Sequence, residues 1–259
     1  MHSSVNATMP RAVAVLAAVL LLATAPASRN EAATQAKPDP SQPVVVELFT
    51  SQGCNSCPPA DELVVELTDQ SDVIALSLHV DYWDYIGWKD PYGSPMNTER
   101  QRRYGEALRL RYVFTPQIIV DGRTSLVGSR RGAVLRSIER SRVRGKPLKL
   151  EIVNDDGGKV IIPAGHAPDV GATVWLVVYD RHHETDVTRG ENAGRTIRNG
   201  NVVRRFERLG TWMGERTEIP LDLSAAAARG HDGCAVIVQQ GRYGPVLGAA
   251  AMSLDDLGG

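Results

Sequence analysis

Two cysteines separated by two residues, Cys54-Asn55-Ser56-Cys57, have the types and spacing for a defined chemistry. A thiolate, not a thiol, attacks a disulfide, so exchange needs one cysteine of lowered pKa and a second within reach to resolve the mixed disulfide. Cys54 is read as the attacking group and Cys57 as the resolving one. No organic cofactor is called for, because the dithiol itself carries two electrons. The same spacing also fits a structural disulfide, half of a zinc site, or two unrelated core cysteines. Zinc would need two further ligands, and the third cysteine is Cys234, with His79 the nearest plausible histidine; no metal is assigned. A structural disulfide would close a very short loop and restrict the unfolded chain little, which favours a thiol-dependent role. Soft thiolates, with or without His79, also suit Cu(I). A copper-handling module is therefore the rival reading, and a domain that only binds partners is the third.

The elements around the pair are legible. Val44 to Phe49 is a β-favouring run that ends at Thr50-Ser51-Gln52-Gly53, as a buried central strand would. After Cys57, Pro58 and Pro59 suit a helix's first turn, and Leu63, Val64 and Leu67 follow at helical spacing. This puts Cys54 at a strand-to-helix junction, where backbone N–H groups and the helix dipole favour a thiolate. Val73 to Val80 reads as a second buried strand and Asn97 to Leu110 as a helix. Gln117 to Val120 and Thr124 to Val127 read as a hairpin turning at Asp121-Gly122, with a last helix over about Arg131 to Arg142. Beyond Gly145 to Pro147 the character changes to short strands: Leu148 to Val153, Lys159 to Ile162, Thr173 to Tyr179, Val202 to Glu207, Thr217 to Leu221, Cys234 to Gln239 and Val246 to Ala250. Asp156-Gly157-Gly158 is a hairpin signal between the first two. The expectation is an α/β domain over 43–145 followed by a β-rich, sandwich-like domain over 146–259.

Other residues carry weaker signals. Glu47 is a carboxylate inside an apolar strand; buried, it would tend to hold a proton and could pass it to Cys57, whereas an edge-facing or salt-bridged Glu would not. Tyr82, Trp83, Tyr85, Trp88 and Tyr92 crowd into one loop. They suit a docking surface beside the cysteines, with Tyr82 and Trp83 as substrate contacts, or a cover over a core. Arg100, Arg102, Arg103, Arg109 and Arg111 read as a solvated helix face. The stretch from Asp180 to Asn201, long and polar with Arg181, His182, His183, Glu184 and Asp186, reads as a functional loop or a metal-holding one, but adjacent His182 and His183 would point apart on a strand, which weakens a shared ligand role. Cys234 lies in an apolar context and reads as a buried core thiol.

Strand, Cys-x-x-Cys, helix, strand, helix, Thr115-Pro116, strand, Asp-Gly, strand, helix resembles the thioredoxin superfamily from Pro43 to about Val143. The resemblance implies that Pro116 is cis and faces the cysteine pair, and that the backbone beside it, at Thr115, pairs with a peptide substrate. It also makes Glu47 similar in placement to the buried acid of thioredoxins, although the connection to the first cysteine is one residue longer. Gly53 stands where thioredoxins carry Trp, and Asn55-Ser56 replaces Gly-Pro, so neither a reductant nor an oxidant is implied. More specifically, Glu47 to Cys54, Cys57-Pro58-Pro59-Ala60-Asp61, His79 to Tyr85 and Gly190 to Arg195 resemble a family of exported bacterial proteins of unknown function. That likeness implies fold and export but no substrate.

The chain has 259 residues, 42% hydrophobic and 23% charged, enough for a sizeable core in about two domains. Lys plus Arg number 29 against 30 Asp plus Glu, a formal net charge of −1, which gives no general pull toward nucleic acid or anionic membrane. The expected partner is a protein or small-molecule thiol or disulfide. Arg11, the apolar run Ala12 to Ala23, and Ala25-Pro26-Ala27 read as a signal peptide over 1–27 cleaved before Ser28. Residues 28–42 read as a solvated spacer, and the mature chain is expected in the periplasm or outside the cell, with no membrane insertion after cleavage.

Overall fold

The computed structural model describes residue 39 and residues 41–154 and 158–255. The expected signal segment and the Asp156-Gly157 turn lie outside the described residues. Val44–Thr50 (β1) is buried at every position and lies between Val73–His79 (β2), which it pairs in parallel, and Gln117–Val120 (β3), which is antiparallel to it. Burial on both faces is what its unbroken apolar run requires. The antiparallel strand Thr124–Val127 (β4) follows β3. Helix α1 (Pro58–Thr68) connects β1 to β2, α2 (Pro95–Ala107) connects β2 to β3, and α3 (Arg131–Arg144) follows β4. Helix α2 begins two residues before the expected start, because Ser94 caps it by accepting the Met96 N–H and Pro95 fits the first turn.

The C-terminal strands are Glu151–Val153 (β5), Lys159–Ile162 (β6), Ala172–Val187 (β7), Arg195–Trp212 (β8), Thr217–Pro220 (β9), Gly233–Gln240 (β10) and Val246–Ser253 (β11), with a short helix α4 at Leu223–Ala228. They do not stand apart from the first half. A large mixed sheet has the order β11-β10-β7-β8-β2-β1-β3-β4, with β8 meeting β2 at Val202 and Ser77, and β5-β6-β9 form a smaller sheet. The boundary expected near Gly145 to Pro147 thus marks a change in strand type, while strands from both sides share one sheet.

The segment from Asp180 to Asn201, expected as a loop, is mostly the outer half of a β7–β8 hairpin paired in register from Val187–Arg195 inward. Its polarity follows from exposure: from Arg181 to Asp186 half-buried and exposed positions alternate, so no apolar face was needed to make a strand. His182 and His183 fall on opposite faces, as a strand dictates.

Alternation along β1 divides the core around it. Val44, Val46 and Leu48 pack under α1 and α3 with Leu63, Val64, Leu67 and Ile138. Val45 and Phe49 face the other way, toward Tyr104 of α2 and toward Trp175 and Ile237 of the C-terminal strands. A third cluster, including Val174, Leu176, Val236 and Cys234, joins the large sheet to Val160 and Ile162 of the smaller one. Cys234 is a free, buried thiol, and burial pushes its pKa up to about 12.

Candidate functional site

Cys54 and Cys57 form a disulfide with their Cα atoms 5.5 Å apart. β1 ends in a tight turn in which the Cys54 N–H bonds the Ser51 carbonyl at 3.0 Å, and Cys57 is the N-cap residue of α1, ahead of Pro58. Both cysteines are nearly inaccessible, 2% and 0% exposed, while Asn55 and Ser56 between them are exposed. The Ser56 hydroxyl lies 3.4 Å from Cys54 Sγ.

The Thr115–Pro116 peptide bond is cis. Pro116 is buried against the first turn of α1 through Gly128: a Cβ on Gly128 would fall 2.9 Å from Ala60 Cβ and 3.2 Å from Pro116 Cβ. Trp83 links this segment to the cysteines. Its indole N–H donates to the Thr115 hydroxyl at 2.7 Å, and its Cβ lies 3.3 Å from where a Gly53 Cβ would be. Cys54, Cys57, Trp83, Thr115 and Pro116 are therefore drawn to one end of β1.

Tyr82 points its hydroxyl to Gln101 at 3.0 Å, and burial raises its pKa. Trp88 donates to Gln52 at 3.2 Å and Tyr92 stacks on His183, so these rings mainly cover the interior. Tyr85, at 81% exposed, is the part of the aromatic loop that faces solvent.

Glu47 takes the salt-bridged arrangement, one of the two readings its sequence context allowed. It is buried, but it sits on the Val45–Phe49 side of β1, facing α2, whereas Cys57 heads α1 on the other side. There it pairs with Arg100 Nε at 2.6 Å and accepts a short hydrogen bond from the Tyr104 hydroxyl. Arg100 itself is not a solvated residue. Its guanidinium is buried 3.8 Å from the centre of the Phe206 ring, and although burial alone would lower its pKa, Glu47 holds it above the ordinary value. The other four arginines of that series are exposed, as expected.

The carboxylate on the cysteine side is one that the sequence did not single out. Asp61 is buried one turn after Cys57, with its N–H bonded to the Cys57 carbonyl at 3.1 Å and its Oδ1 accepting from the Thr50 hydroxyl at 2.8 Å. Burial pushes its pKa up to about 7, against the pull of His79 and of the Thr50 hydroxyl. His79 is the register partner of Thr50 across β1 and β2. Its Nδ1 is 2.8 Å from Asp90, which also accepts the N–H groups of Gln52 and Tyr92. Burial by itself would raise the Asp90 pKa, but the His79 ring and these donors hold it below the usual range. Among the described residues, no group of three or more His, Cys, Asp or Glu side chains is placed to hold a metal ion.

A second contribution comes from far along the chain. Asn192, fully buried in the β7–β8 turn, donates its amide to the carbonyls of Gln52 at 2.8 Å and Cys54 at 3.0 Å, and its oxygen accepts from Arg195. The Gly190-Glu191-Asn192-Ala193-Gly194-Arg195 run is thereby part of the site. Gly190 and Gly194 both have positive φ, which lets the turn close.

The model of the family described as "Protein of unknown function (DUF1223)" matches residues 45–239, which include every group just described. The chain belongs to this family. The DUF1223 match takes in both the cysteine loop and the hairpin that braces it. The chain is similar to a protein of Agrobacterium tumefaciens known from an X-ray crystal structure, at 32% identity and a TM-score of 0.70, covering 81% of this chain and 93% of that one. It shares a fold with HBP35 of Porphyromonas gingivalis at 12% identity and a TM-score of 0.52, over 85% of this chain and 77% of that one. No curated protein matches the chain. Among the described residues, no helix is long and apolar enough to cross a membrane.

Proposed function

We propose that this DUF1223 protein exchanges thiols and disulfides with a protein or small-molecule partner through Cys54, with Cys57 resolving the mixed disulfide. The observation that carries this reading is the disulfide at the head of α1, with Trp83 set beside Gly53 on one side and hydrogen-bonded to Thr115 of the cis Thr115–Pro116 segment on the other. The β2-β1-β3-β4 order, with β3 and β4 antiparallel to β1 and β3 respectively, supports a thioredoxin-like module over 43–145. The packing of the smaller sheet on the large one supports a sandwich-like C-terminal part. In this reading the backbone at Thr115 pairs with the substrate chain, and Trp83 takes the place beside Cys54 that Gly53 leaves open. Tyr82, with its hydroxyl engaged by Gln101, shapes the back of that surface. The signal-like N-terminus favours a periplasmic or secreted location, where an oxidised pair persists.

The test is the midpoint potential of the pair, measured by equilibration in glutathione and dithiothreitol buffers with thiol trapping. A reversible two-electron transition well above about −300 mV supports exchange, since structural disulfides fall below that value. A pair that stays oxidised throughout those buffers overturns it.

A further inference from the structure

Two polar atoms near the disulfide have no hydrogen-bond partner although they are buried: Asp61 Oδ2 and His79 Nε2. Native interiors leave few such atoms, and each calls for an explanation. These two belong to neighbouring residues. Thr50, which bonds the other Asp61 oxygen, is paired with His79 across the parallel strands, and both side chains project to the α1 side of the sheet. Asp61 follows Cys57 by four residues, so the two share a helix face, and the Asp61 side chain leans toward the N-terminus, where Cys57 lies.

An ionised Asp90 can only accept, so His79 Nδ1 carries a hydrogen and the ring is held in place. Asp61 Oδ2, buried and without a partner, is left as the position on the Cys57 side of the sheet that can carry or take up a proton. The charged groups around Asp61 are His79 from β2, Asp90 from the loop before α2, and Glu62 on its own helix. Arg195 and Arg198 of β8 line a cavity with Glu62 on the outer side of α1.

We propose that Asp61 is the group that exchanges a proton with Cys57 during the redox step, the role the sequence offered to Glu47. The proposal rests on the exchange reading above and deepens it. A substrate dithiol, as its thiolate, attacks Cys54 Sγ; the Cys54–Cys57 bond breaks, and Cys57 leaves as a thiolate that takes the Asp61 proton. The second substrate thiolate then attacks the substrate sulfur joined to Cys54, releasing the substrate as a disulfide and Cys54 as a thiolate. The substrate loses two electrons and the pair gains them. The two protons that the substrate thiols gave to water return to Cys54 and to Asp61. In the opposite direction Asp61 accepts the Cys57 proton as Cys57 attacks the mixed disulfide.

The experiment is the rate of reduction of the full oxidised chain by dithiothreitol between pH 5 and pH 9, for the natural protein and for Asp61→Asn. The natural protein should be faster by about 100-fold below pH 7, as expected for a lost general acid, with the ratio falling toward one at pH 9. A ratio that does not change with pH overturns the assignment of Asp61 while leaving exchange intact. A natural protein that dithiothreitol fails to reduce overturns the exchange reading itself. A readout independent of any variant is the carboxyl titration of 13C-labelled aspartate in the natural protein. The Asp61 midpoint should differ between the disulfide and dithiol forms, and equal midpoints overturn the proposal.

Discussion

Asn192 donates its side-chain amide to the carbonyl of Cys54 at 3.0 Å, although 138 residues separate them in the chain. A residue of the long β7–β8 hairpin therefore supports the backbone of the cysteine loop, and through Gln52 it supports the approach to that loop as well. The site is built by both halves of the large sheet.

Replacing Asn192 by Ala removes both bonds and leaves two buried carbonyls without their donor. An unsatisfied buried group costs about 1–3 kcal/mol, so Asn192→Ala should lose on the order of 2–4 kcal/mol. Urea denaturation of the oxidised protein measures this. Asn192→Asp should be at least as damaging, because a carboxylate cannot donate to either carbonyl. Equal stability of all three proteins would mean that the hairpin is not a support for the loop.

The Trp83–Gly53 contact predicts a steric effect at a position that looks permissive. Gly53→Val would place a Cβ 3.3 Å from the Trp83 Cβ and 3.5 Å from Ile86 Cδ1, with two further methyls to be accommodated. Trp83 must then shift from its 2.7 Å bond to Thr115. The expected result is a several-fold loss of exchange rate toward a peptide substrate. Trp83→Phe, which keeps most of the packing, should lose only the hydrogen bond, about 1 kcal/mol by thermal unfolding. An unchanged rate in Gly53→Val would break the proposed link between Trp83 and substrate positioning.

Glu47 and Arg100 form a pair whose loss should affect stability and leave the redox pH profile alone. Removing one partner of a buried ion pair costs about 3–5 kcal/mol, because the other charge stays buried. Glu47→Gln should therefore be strongly destabilised in a denaturant melt, and Arg100→Met combined with it should recover part of the loss. The pH dependence of disulfide reduction should match the natural protein in both, since Glu47 faces α2 and not Cys57. A displaced pH profile in Glu47→Gln would return Glu47 to the redox machinery.

These residues also mark where the sequence was readable. The β1 run, the paired prolines after Cys57 and the Asp121-Gly122 turn are local signals, and the elements they predict occur at those places. Glu47 was visible as a carboxylate in an apolar strand, but which face it occupied depended on the register of β1 with its neighbours and on where Arg100 would fall. Asp61 lies in the first turn of α1, where an acid is ordinarily favoured at the surface, so its type and place carry no sign of burial. Only the closure of α1 over Thr50 and His79 buries it. The β7–β8 hairpin was hidden for a different reason: its outer half is polar on both faces, so the apolar alternation that announces a strand was absent. Asn192 could be noticed within its glycine-flanked motif, yet nothing local says that it reaches Cys54.

Asp61 also gives the protein a pH dependence whose sign is fixed. Its carboxyl goes from an ordinary 3.8 in the unfolded chain to about 7 in the folded one, pushed up by burial. A carboxyl raised on folding contributes fully below the unfolded value, and that contribution is lost as pH rises toward the folded value. Integrated over this interval, the loss is up to roughly 4 kcal/mol. Asp90 has the opposite sign: its folded pKa is depressed, so its contribution is present above the unfolded value and lost as pH falls through the acid range. The two together predict a stability maximum on the acidic side of neutrality. Asp61→Asn cannot ionise, so the stability difference between the natural protein and this variant should move steadily in the variant's favour from pH 4 to pH 7, then level off. Urea melts of the oxidised proteins at several pH values read this difference directly. A difference that stays constant with pH would mean that burial does not shift the Asp61 pKa between the unfolded and folded chain.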